Sequence, residues 1–105
     1  MKLLKNPTPG NILKEEFLEP LGLSQNALAD ELHVPRNRIH AIIKGTRSVT
    51  ADTDLRLTKF FGLSEGYFLR LQNAFDTLEA KRKAGKAIRT ISTYRYPATQ
   101  PDART

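Results

Sequence analysis

Apolar residues recur along the chain at helical spacing, in short blocks divided by Pro, Gly and Ser/Thr. Thr8 before Pro9 is an N-cap with proline at the first helical position. Ile12, Leu13 and Phe17 form an inward stripe, and Pro20 with Gly22 predicts the end of this first helix. Ser24 caps a second helix with Leu28, Ala29 and Leu32 inward, stopped abruptly by His33-Val34-Pro35. A third runs from Pro35 to Lys44, with Ile39, Ile42 and Ile43 inward and Gly45 just past its end. Thr50 caps a fourth, with Asp52 and Asp54 near its positive end, Leu55 and Phe61 inward and Gly62 closing it. Ser64 predicts the start of a fifth, whose stripe is Phe68, Leu71, Phe75 and Leu78. This helix is expected to persist to about Ala84, where Gly85 interrupts. Ala87 to Tyr96 fits a short strand, a helix extension or an arm, and Pro97 to Thr105 reads as disordered. The fold class is all-α.

The second and third helices are separated by a turn of only a few residues, as in a helix-turn-helix. Counting Gln25 as the first position, Ala29 is fifth, Val34 tenth, Ile39 fifteenth and Ile42 eighteenth. A small residue is needed where the two helices cross, an apolar plug after the turn, and an apolar pair on the inner face of the second element. Arg36, Asn37, His40 and Lys44 are thereby left on the outer face, with Arg38 on its flank. Arginine suits guanine, asparagine suits adenine and lysine suits phosphate. The turn position that usually holds Gly, because φ is positive there, is His33, one of the residue types enriched in that region.

Charge sharpens this picture. The chain of 105 residues carries a net charge of +6, but residues 1–80 hold ten basic and ten acidic residues, so the surplus lies in residues 81–105. Within the neutral block, Glu15 to Glu31 holds five acids and no base, whereas Leu32 to Ser48 holds four bases and no acid. The acid-free stretch coincides with the third helix and the loop after it. We divide the chain into a DNA-binding and dimerisation domain over 1–84 and a basic tail over 85–105.

Composition excludes other chemistries. With no Cys there is no disulfide, thiol nucleophile or Cys-based metal site, and two His make a His-based site improbable. No apolar run is long enough to span a membrane, and no signal-peptide core is present. Glu15, Glu16 and Glu19 have no His or metal partner to make an acid–base site and read as a solvated helix face. No catalytic residue, metal, cofactor or small-molecule substrate is expected, and the protein reads as cytoplasmic.

Four blocks stand out together: Pro9-Gly10-Asn11-Ile12-Leu13 through Ala29, Val34-Pro35-Arg36-Asn37-Arg38-Ile39, Gly45 with Thr50-Ala51-Asp52-Thr53, and Phe60-Phe61-Gly62 with Phe68, Leu71-Gln72 and Ala74. Through them, residues 7 to 80 resemble the HigA family of addiction-module antidotes, also labelled virulence-associated protein I, within the Xre/Cro-like helix-turn-helix proteins. The resemblance implies a five-helix, lambda-repressor-like homodimer on a palindromic, double-stranded operator, with a HigB-like RNA-cleaving toxin as partner. It implies that Gln25 touches phosphate, that Arg36, Asn37, Arg38 and His40 face the major groove, and that Lys44, Thr46, Arg47 and Ser48 grip the backbone. Phe68, Leu71, Phe75 and Leu78 are candidates for core or dimer seam, and we read a mixture, the first two inward and the later two toward the partner chain. The expected function is a DNA-binding antitoxin that represses its own operon. The alternatives are a stand-alone Xre-type repressor and a protein- or RNA-binding bundle using the basic tail.

Overall fold

The computed structural model describes residues 5–98, and every regular element among them is helical. There are five helices. α1 spans 9–21, α2 Gln25–Leu32, α3 Arg36–Lys44, α4 Ala51–Phe61 and α5 Tyr67–Arg89. The expected all-α, five-helix fold is what forms.

α1 begins as its sequence requires. The Thr8 hydroxyl accepts the Asn11 N–H at 3.0 Å and the Asn11 side chain accepts the Thr8 N–H at 3.1 Å, a reciprocal cap ahead of Pro9. The helix does not end at Pro20. Leu13–Leu18 forms a wider π-type turn in which the Glu19 N–H reaches back to the Lys14 carbonyl, and the helix runs through Pro20 to Gly22 at φ 62°. Widening the turn before Pro20 relieves the clash that a proline ring makes in a regular helix.

The core is built from Leu13 and Leu18 of α1, Leu28, Ala29 and Leu32 of α2, Val34, Ile39 and Ile42, Val49, Leu57 and Phe68. Phe17 stacks its ring near those of Phe61, Phe68 and Tyr67, at centroid distances of 4.9, 5.5 and 6.0 Å. α1 lies so close to α3 that a Cβ on Gly10 would collide with the Ile42 carbonyl oxygen, so only glycine permits this approach.

α4 turns differently from its predicted stripe. Leu55, expected inward, is 48% exposed, whereas Leu57 is fully buried. The inward face is Thr53, Asp54, Leu57 and Thr58, with half-buried Phe61 one turn on. Three of these are polar, which hid the stripe from hydrophobic periodicity.

α5 begins at Tyr67, not after Ser64, with Gly66 at φ 93° before it. Its cap comes from α4. The buried Asp54 carboxylate accepts the N–H groups of Gly66 at 2.7 Å, Phe68 at 2.8 Å and Leu69 at 3.2 Å. A carboxylate at a helix N-terminus satisfies the orphan donors and meets the positive end of the dipole. Gly85 lies inside α5, and the helix continues to Arg89. One internal glycine costs only about 1 kcal/mol relative to alanine, and the neighbouring Ala, Lys and Arg residues favour helix. α5 therefore carries on past residue 84 into the basic segment. Of the three readings for Ala87 to Tyr96, the helix extension holds as far as Arg89, and residues 90–98 have no regular structure. The rest of the predicted disordered segment, residues 99–105, lies outside the described residues.

Asp54→Ala would leave three backbone donors at the start of α5 without an acceptor. The expected loss is about 2–3 kcal/mol of unfolding free energy, measured by urea denaturation.

Candidate nucleic-acid interface

The geometry of α2 and α3 is set by the three residues between them. His33 adopts φ 58°, ψ 46°, the left-handed conformation usually given to glycine at this place, and its N–H reaches the carbonyls of Ala29 and Asp30. The Val34 N–H bonds to the Ala29 carbonyl at 3.1 Å, and its side chain is buried. Ala29 is fully buried at the helix crossing, and Ile39 and Ile42 anchor the inner face of α3. The positions assigned from spacing therefore occupy the places that the motif requires.

With that face inward, Arg36, Asn37, His40 and Lys44 are exposed along the other side of α3. Thr46, Arg47 and Ser48 are exposed in the loop that follows. That loop is held at both ends. The Thr46 hydroxyl donates to the Ala41 carbonyl at 3.3 Å, and the Val49 N–H donates to Gln72 Oε1 of α5 at 2.8 Å. Gln25 is half-buried at the first position of α2, directly after the Ser24 cap, whose Oγ accepts the Ala27 N–H at 3.0 Å.

The basic side chains are not equivalent. Arg36 is gripped by Asp30 of α2, Nε to Oδ1 at 3.1 Å and Nη2 to Oδ2 at 2.7 Å. His40 Nε2 lies 2.7 Å from Asn26 Oδ1. Arg38 is turned aside. Its Nη1 donates to Asp52 Oδ2 of α4 at 2.7 Å, and its side chain is only 23% exposed. Asp52 also receives Arg56 Nε at 2.9 Å, and Arg56 Nη1 donates to the Leu32 carbonyl at 2.8 Å, where α2 ends. The chain Arg38–Asp52–Arg56–Leu32 thus ties the end of α2, the start of α3 and the start of α4 together. In this conformation the Arg38 side chain leans against α4. Asn37, Lys44 and Arg47, by contrast, have no ion pair or side-chain hydrogen bond among the described residues.

Sequence reasoning did not find Asp30, Asn26, Asp52, Arg56 or Gln72. The available signal was that Asp30 and Asp52 lie just outside the two ends of the acid-free stretch that holds Arg36 and Arg38. The Arg36 guanidinium, mainly through its hydrogen bonds, holds the Asp30 carboxyl below its ordinary range. Arg56 first, and then Arg38, does the same for Asp52.

The helix-turn-helix family matches residues 6–68. A solved addiction module antidote protein of a HigA family from Coxiella burnetii superposes with a TM-score of 0.81 at 44% identity, covering 87% of this chain and all of that one. The chain belongs to the HigA-type helix-turn-helix family. Virulence-associated protein I of Dichelobacter nodosus is 47% identical over 74 residues, 70% of this chain and 68% of the relative. The Pseudomonas aeruginosa antitoxin HigA, solved with the higBA promoter, superposes with a TM-score of 0.80 at 30% identity, over 85% of this chain and 97% of that one.

The proposed dimer residues of this HigA-family chain are placed unequally. Phe68 is fully buried in its own core, on the inward side where its spacing put it. Leu71 is half-buried against the core, and Phe75 and Leu78 are half-buried further along α5. No described helix is long and apolar enough to cross a membrane.

The depressed Asp52 carboxyl has a signed consequence. Stability from its ion pairs is present above the unfolded value of about 4 and is lost as pH falls through the lower folded value. Asp52→Asn should lower the melting temperature by a few degrees at pH 7. The difference from the unsubstituted chain should persist to about pH 5 and close as pH falls below about 4, as read by thermal melts across that range.

Proposed function

We propose that this chain is a homodimeric, sequence-specific DNA-binding antitoxin that represses its own operon and neutralises a HigB-like RNA-cleaving toxin by forming a complex with it. The observation that carries the DNA reading is the outer face of α3, exposed and without an acid of its own, with Asn37 at its centre unpaired among the described residues. Asparagine can bond an adenine edge with both its amide groups. Arg36 and His40 flank it, and we assign the exposed Lys44, Thr46, Arg47 and Ser48, with half-buried Gln25 at the start of α2, to the phosphate backbone. That the similar Pseudomonas antitoxin was solved with its promoter supports the DNA-binding reading.

Phe75 and Leu78 on α5 are the residues we assign to the dimer seam, with Leu71 packed against the core. A dimer would place two α3 helices in successive major grooves, roughly 34 Å apart. For the toxin, the exposed Glu15, Glu16 and Glu19 of α1 form an acidic face that suits a basic RNA-cleaving partner.

Asn37→Ala should weaken binding to the operon's own promoter by about 1–3 kcal/mol, roughly 5- to 150-fold, with an unchanged melting curve. Footprinting and gel-shift titration measure this, and unaltered operator affinity refutes the assignment of α3. Charge reversal at Glu15, Glu16 and Glu19 should abolish co-purification with the neighbouring gene product while leaving operator binding in place.

A further inference from the structure

α2 is not only the brace of α3. Asn26 and Asp30 stand four residues apart on it, and Arg36 and His40 stand four residues apart on α3, so each pair lies on one helix face. The two rows meet rung to rung, Asp30 to Arg36 and Asn26 to His40. We propose that Asp30 is a positioning residue that aims Arg36 at a guanine, and so sets base specificity at one operator pair. This inference rests on the DNA-binding reading above.

The guanidinium geometry carries it. Arg36 offers Nε and Nη2 on one edge to the two oxygens of Asp30, at 3.1 and 2.7 Å. That uses its side edge and leaves its end edge, Nη1 with the second Nη2 hydrogen, as two parallel donors. Guanine presents two acceptors, O6 and N7, at matching spacing in the major groove. Arg36 is the first residue of α3, and the N-terminal part of a recognition helix is the part that reaches base edges. Both partners are more than half exposed, at 58% for Arg36 and 56% for Asp30, so the pair stands on the surface and not in the core. An exposed pair contributes little to stability. Its value lies in holding a long side chain in one orientation before DNA arrives, which removes an ordering cost from binding.

Charge gives a second consequence. Paired with Asp30, Arg36 adds direction without adding net positive charge. Freed from it, the same arginine becomes one more mobile cation facing phosphate. Loss of Asp30 therefore trades selectivity for non-specific attraction.

The test uses the full chain and its footprinted promoter fragment, with each base pair of the half-site substituted in turn, for the unsubstituted protein, Asp30→Ala, Arg36→Ala and the double variant. Asp30→Ala should lose about tenfold in discrimination at the same G·C pair that Arg36→Ala reads, and its salt slope should steepen by about one charge. The double variant should be no less selective than Arg36→Ala alone, and Asp30→Glu should recover part of the loss. Undiminished discrimination in Asp30→Ala, or tighter operator-specific binding, overturns the proposal while sensitivity to Arg36→Ala leaves the DNA reading intact. If the unsubstituted protein binds no operator, both fall together.

Discussion

Three residues between α2 and α3 must reverse the chain and return an apolar side chain to the core. His33 accepts a left-handed backbone, Val34 enters the core and Pro35 starts the next helix. If any of these fails, α3 rotates or shifts, and its outer residues no longer share one exposed face. Ala29 at the crossing and Gly10 against Ile42 are consequences of the same constraint, because both allow backbones to approach where a larger side chain would force them apart. Arg56 completes the arrangement by satisfying the Leu32 carbonyl, one of the acceptors left open where α2 ends.

Polar contacts between elements do two different kinds of work in this fold. Asp54 is buried, and its three bonds close the N-terminus of α5, so its contribution is to stability. Asp30 and Asp52 are exposed, and water and salt screen their pairs. Beyond a small stability of the kind Asp52 contributes, what such pairs supply is direction. Asp52 draws Arg38 away from the outer face, and Asp30 holds Arg36 upon it. The segment from Leu32 to Ser48 thus has a smaller free positive charge than its composition indicates, with Lys44 and Arg47 unpaired among the described residues. A surface of this kind relies on shape and hydrogen-bond direction more than on bulk attraction.

Much of this protein was legible in one dimension. The caps at Thr8 and Ser24, the left-handed stops at His33, Gly45 and Gly62, and the spacing of Ala29, Val34, Ile39 and Ile42 depend on residues within a turn or two of each other. Local hydrogen bonds and backbone sterics act over that range, so the sequence alone determined the all-helical class, the helix-turn-helix and its exposed face. Tertiary structure decided the rest. Pro20 stayed within α1 because a widened turn absorbed it, and Leu55 gave way to Leu57 because polar Thr53, Asp54 and Thr58 found partners or space inside. The cap of α5 came from Asp54, 14 residues before Phe68, and Arg38 was captured by Asp52, 14 residues after it. Periodicity reports which residues avoid water. It carries no record of which distant carboxylate a backbone N–H or a guanidinium will meet, because that is settled only when separate helices pack.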